Sequence, residues 1–175
     1  MVGGLILKDS LDEDSVLAVI GDETRTFSAS TNEELADLFE SQGIDVVAVN
    51  APMNLRRSEF NEQEEQLRDE GHIFQPSSSQ KTLARRLEAL KDIAFERMGS
   101  ESPDFVRFDP QITSKELAIE GDEGLESLGV APDGIESAEE FDAVLGAVTS
   151  RFYQQNQFEE KAVVIPEPLS EEDQS

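Results

Sequence analysis

Ile44-Asp45-Val46-Val47-Ala48-Val49-Asn50-Ala51-Pro52-Met53-Asn54 is the stretch that decides the fold. Val46–Val49 is a short, β-branched and nearly unbroken apolar run, the pattern of a strand buried on both faces. Pro52 forces Ala51 into an extended conformation and removes a backbone donor. The strand therefore ends at Asn50 and the chain turns outward. In open α/β sheets, sites lie just beyond the carboxyl ends of such strands. Asn50 holds that position, with an amide where a carboxylate would carry charge.

Upstream, Val2–Leu7, Val16–Ile20 and the alternating Glu23–Ala29 read as an antiparallel meander, with Gly21-Asp22 as a tight turn. Thr31 and Glu34 form a capping box before Leu35, Leu38 and Phe39, and Gly43 stops that helix. Downstream, Arg56–Gly71 reads as a very polar peripheral helix. Lys81–Met98 is a long amphipathic helix, and Phe105–Phe108 is a strand ended by Pro110. Ser114–Ile119 gives one or two helical turns, and Gly121–Gly134 is acidic and loose. Ser137 and Glu140 cap a last core helix carrying Phe141, Val144, Leu145, Val148 and Phe152. Ala162–Ile165 is expected as an edge strand, and 169–175 as a disordered acidic tail. The order β-β-β-α-β-α-α-β-α-β predicts an α/β domain over 1–168, with a mixed sheet of ribonuclease H-like order: an antiparallel three-strand meander plus parallel strands, flanked by helices.

The 175 residues suffice for one domain that buries roughly 70% of its unfolded surface. Without Cys there is no disulfide or thiolate metal site. No long apolar run and no signal-peptide pattern is visible, so a cytoplasmic location and no membrane partner are expected. Asp and Glu number 39 against 14 Lys and Arg, a net charge of −25. Nucleic-acid binders normally show a basic excess. Either the chain mimics nucleic acid, or it is adapted to molar salt, where the Debye length falls to about 3 Å. A mimic needs its acid on one face. Here the acid is spread through helices, loops and termini, which favours salt adaptation.

Four stretches together resemble a family of predicted nucleases of ribonuclease H-like fold, the domain-of-unknown-function family four-two-nine. They are Val47-Ala48-Val49-Asn50-Ala51-Pro52, Glu65-Gln66-Leu67-Arg68-Asp69-Glu70-Gly71, Phe141–Ser150 and Ala162-Val163-Val164-Ile165-Pro166. The resemblance, with the composition, points to an acidic, haloarchaeon-like proteome. It implies two Mg²⁺ or Mn²⁺ ions held by carboxylates from the first strand, the strand ending at Asn50 and the last helix. It also implies nucleic acid as a partner class.

The sequence departs from that pattern. Val2–Leu7 holds no acid, and Leu5→Asp with Asn50→Asp would restore the family's set. Arg107 stands where the family often has Glu. Asp142 is kept, with Glu139 one helical turn before it. Asn50 and Asp142 are thus the vestigial catalytic pair, and Asp142 with Glu139 a weak metal set. Arg56, Arg57 and Arg68 are candidate substrate-binding residues or salt-bridge partners. Arg107 pairing with Asp142 would turn the metal centre into an ion pair. Asn50 alternatively satisfies backbone groups after its strand. His72 reads as an exposed loop residue, and Arg85-Arg86 as a surface pair.

Two functions follow: a degenerate, non-catalytic relative that retains a binding role and needs no cofactor, or a divalent-metal nuclease or phosphoesterase with a reduced acidic site. The charge makes the first prediction. At low ionic strength self-repulsion destabilises the compact state, so the melting temperature is expected to be higher in roughly 2 M than in roughly 0.1 M KCl. Equal or higher stability in dilute buffer contradicts salt adaptation.

Overall fold

The computed structural model describes residues 1–10, 12–53, 62–72, 80–131 and 134–168, apart from the side chains of Glu62 and Gln63. The expected tail at 169–175 lies outside them, as do Arg56 and Arg57.

The strands β1 (Val2–Ile6), β2 (Ser15–Ile20), β3 (Thr24–Ala29), β4 (Val46–Val49) and β5 (Asp104–Arg107) form one sheet in the order β3-β2-β1-β4-β5. The meander is antiparallel, with Val2 opposite Ile20 and Ile20 opposite Thr24. β4 runs parallel to both neighbours, with Leu5 opposite Val49 and Val49 opposite Arg107. The Val46–Val49 run is fully buried inside the sheet, as its composition requires.

Helices cover both faces. On one, α1 (Asn32–Gln42) and α3 (Lys81–Met98) enclose Leu5, Leu17, Val47, Val49, Phe39 and Leu87. On the other, α6 (Ala138–Gln154) packs Ala143, Val144, Ala147 and Val148 against Ile6, Ala18 and Ala48. Thr31 caps α1 as expected, accepting from the Glu34 N–H. The Glu34 carboxylate returns to the Ser30 N–H at 3.1 Å, one residue earlier than in the simple capping box. Ser137 caps α6 through the Glu140 N–H.

Helix α6 sits unusually close to β1. A Cβ on Gly4 would lie 2.0 Å from the Ala143 carbonyl oxygen and 2.2 Å from the Ala147 nitrogen. A Cβ on Gly146 would lie 2.8 Å from the Gly4 Cα and 2.7 Å from Phe108. The Ser150 hydroxyl donates to the Gly3 carbonyl at 2.7 Å, so the buried helix is also hydrogen-bonded to the strand.

Some expectations change. The polar helix expected over Arg56–Gly71 is seen as α2 (Glu62–Asp69), and residues 56–61 of it lie outside the described residues. The helical turns near 114–119 begin earlier, as α4 (Pro110–Glu116), because Asp109 caps them and Pro110 takes the first turn. The acidic stretch 121–134 contains α5 (Asp122–Ser127), anchored by buried Leu125. Ala162–Ile165 does not extend the main sheet. Instead β6 (Phe158–Lys161) and β7 (Val163–Pro166) form a separate antiparallel pair. Val163 and Ile165 of β7 pack with Leu67 and Ile112, while Val164 faces the core under α6.

The close approach predicts an asymmetry between neighbouring glycines. Gly4→Ala forces backbone apart and is expected to cost about 3 kcal/mol or more. Gly3→Ala, whose Cβ would meet nothing nearer than 3.4 Å, should change stability by less than about 1 kcal/mol. Denaturant unfolding in molar KCl measures both.

Candidate functional site

At the carboxyl ends of β1, β4 and β5 lies an open cavity of about 410 Å³. Ile6, Asn50, Arg107, Asp109 and Asp142 line it, with Gln80 and Gln111 at its polar margin. The sequence-predicted pair Asn50 and Asp142 is therefore brought together, and Arg107 joins it.

Asn50 is committed to the backbone. Its N–H donates to the Leu5 carbonyl at 3.4 Å, as the last ladder bond of β4. Its side-chain Oδ1 accepts from the Leu7 N–H at 2.8 Å, and Nδ2 donates to the Leu7 carbonyl at 3.4 Å. The carboxamide thus acts as one more peptide group, extending the β1–β4 pairing where the main chain has turned away. A carboxylate could accept from Leu7 but could not donate to it.

The first strand contributes Ile6 to the cavity, not Leu5. Strand side chains alternate, and Leu5 is buried on the α1–α3 face. Restoration of a first-strand acid belongs at position 6.

Asp142 is half-buried. Among the described residues its carboxylate makes no hydrogen bond or ion pair. Burial pushes its pKa above the ordinary carboxylate range, and the charges of Asp109 and Glu139 add to the shift. Asp109 accepts from the Gln111 N–H at 2.9 Å and the Ile112 N–H at 3.2 Å, capping α4. Burial raises its pKa; the two N–H bonds, Arg107 and His72 oppose that rise. Burial lowers the pKa of Arg107, against the pull of Glu64 and Asp109.

The ion pair Arg107 makes differs from the expected one. It faces Glu64 of α2 at 3.8 Å, with side-chain exposures of 10% and 0%. Glu139 is bonded to Lys8, so the weak metal set loses one of its carboxylates to an ion pair. Arg68 is exposed on α2 and does not line the cavity.

Two further expectations are corrected. His72 is buried, with Glu116 at 3.9 Å. Arg86 is half-buried and no surface residue: it donates to Asn32 Oδ1 at 3.2 Å and to the carbonyls of Ser30 and Lys8.

Sequence reasoning missed Asp109 and Glu64. Asp before Pro at a helix start signals a cap, and the Asp109-Pro110 pair carried it. Nothing local marks Glu64, one acid in a helix full of them.

No protein-family model matches the chain, and no curated protein matches it by sequence. Solved structures do match. T. thermophilus RuvC in complex with a Holliday junction substrate aligns with a TM-score of 0.55 at 12% identity, over 95% of this chain and 99% of that one. A second Thermus thermophilus RuvC structure gives 0.51 at 16% identity, over 94% and 98%. The fold is ribonuclease H-like. At such identities the likeness shows the fold alone. Among the described residues no helix is long and apolar enough to cross a membrane.

A two-metal site does not fit this donor set. Mg²⁺ needs anionic oxygens in octahedral reach. Here Asn50 Oδ1 is taken by Leu7, Ile6 offers nothing, and a guanidinium shares the cavity. No described cluster of three or more acidic or His side chains is placed to hold an ion.

The raised pKa of Asp142 makes a signed prediction. The folded state binds this proton more tightly than the unfolded chain. The stability contribution of Asp142 therefore falls as pH rises from the ordinary Asp range through the raised value, and stays low above it. Asp142→Asn removes that loss. The variant is expected to be more stable than the parent near pH 7, with the difference shrinking as pH falls into the ordinary Asp range. Parallel melts against pH check it.

Proposed function

We propose that this protein is a non-catalytic relative of ribonuclease H-like nucleases that retains a binding role, with nucleic acid as the partner class. One observation carries the loss of catalysis: the side chain of Asn50 is spent on the Leu7 backbone. Metal-assisted phosphodiester hydrolysis requires carboxylates that bridge and neutralise the ions. The cavity offers Asp142 and a helix-capping Asp109, beside Arg107. The four motifs resembling family four-two-nine agree with this descent.

Charge placement supports the binding role. Residues 50–86 carry six Arg and Lys against six Asp and Glu, so the −25 belongs wholly to the rest of the chain. Arg56, Arg57, Arg68, Lys81 and Arg85 belong to this neutral segment, which leads from β4 into α3. A polyanion meets least repulsion there. The RuvC structure bound to a Holliday junction offers a precedent within the same fold. We take the acid elsewhere as adaptation to molar salt.

The alternative, a nuclease using Asp142, Glu139 and a neutral Asn50 oxygen, is opposed by the Lys8–Glu139 and Asn50–Leu7 bonds. The test is incubation with single-stranded, duplex and branched DNA and RNA, with Mg²⁺ or Mn²⁺, across a KCl series. No cleavage is expected, with binding that weakens as KCl rises. Cleavage abolished by Asp142→Ala overturns the non-catalytic reading. Absence of binding at every KCl concentration overturns the nucleic-acid assignment.

A further inference from the structure

We propose that Arg107 is the resident cation of this cavity: its guanidinium offsets the carboxylates of Glu64 and Asp109 at the end of the sheet and keeps a divalent ion out. The inference rests on the non-catalytic reading and adds a cause to it.

Two carboxylates, Glu64 and Asp109, act on Arg107, and Asp109 acts in turn on Asp142 across the cavity. Glu64 comes from α2 and is fully buried. Asp109 follows β5, and Asp142 comes from α6. Among the described residues lining the cavity, Arg107 is the one cation. Its side chain is nearly as buried as that of Glu64, 3.8 Å away. A charge withdrawn from water to this degree demands a counter-charge, and replacing Arg107 takes away one that Glu64 and Asp109 face. Arg107 and a divalent ion would answer the same demand. They also repel each other across a partly desolvated space, so the fixed charge excludes the mobile one. Asp142, without a hydrogen-bond or ion-pair partner among the described residues, is the carboxylate left to an incoming cation if Arg107 is removed.

Thermal melts in molar KCl test this, because screening there is already complete and millimolar Mn²⁺ acts only by binding. Mn²⁺ should leave the parent's Tm unchanged. Arg107→Gln should melt lower, and Mn²⁺ should raise its Tm by about 3 °C or more. Arg107→Lys keeps the charge and should not respond to Mn²⁺. Arg107→Gln with Asp142→Asn should lose the response. If Arg107→Gln does not fold in KCl alone, its refolding yield with and without Mn²⁺ gives the same readout. A purely structural role lowers the Tm without any Mn²⁺ effect, and that result overturns the proposal. So does an Arg107→Lys that responds like Arg107→Gln, or a parent stabilised by Mn²⁺. Cleavage by the parent instead overturns the functional reading, so the two failures are distinct.

Discussion

The contact between Gly4 and Gly146 fixes the position of everything at the site. Two glycines let α6 lie with its backbone almost on β1, and Ser150 ties the same helix to the Gly3 carbonyl. Gly146 also accommodates the ring of Phe108, just past the end of β5, so one helical position gauges three elements. Asp142 lies four residues before Gly146 and therefore on the same side of the helix. Seating Gly146 on β1 carries Asp142 over the carboxyl ends of the strands. The cavity is a consequence of helix–sheet packing before it is a matter of chemistry.

Around that packing, Asn50, Asp109, Arg107 and Glu139 each take a structural duty at the sheet end. β4 stops pairing at Asn50, because Pro52 turns the chain away, and the carboxamide continues the ladder to Leu7. Asp109 holds the first turn of α4. Arg107 holds Glu64, and through it α2. Lys8 holds Glu139. Only Asp142 among the predicted site residues has no such bond among the described residues, and burial beside two other acids raises its pKa.

Much of this was legible in the sequence, and the limits are physical. The buried strand, the meander and both capped helices announce themselves through local pattern, which sets most of the ribonuclease H-like fold. The meeting of Asn50 and Asp142 followed from family resemblance. That Asn50 satisfies backbone groups was one of its two sequence readings, but which groups could not be read, because its partner Leu7 is 43 residues away. Glu64 looks like any acid on a solvated helix, and only tertiary contacts place it, fully buried, beside Arg107. The burial of His72 and Arg86 is hidden from the sequence for the same reason: burial of a single polar side chain is decided by distant elements. The pairing of β6 with β7, in place of the edge of the main sheet, also depends on contacts that Leu67 and Ile112 make across the fold.

The side chain of Asn50 serves the backbone and not an ion. A crystal soaked in Mn²⁺ tests it most directly, through the anomalous signal of the metal. No Mn²⁺ is expected between Asn50 and Asp142, with the Asn50 carboxamide still bonded to Leu7. An ion bound jointly by Asn50 Oδ1 and the Asp142 carboxylate would contradict it.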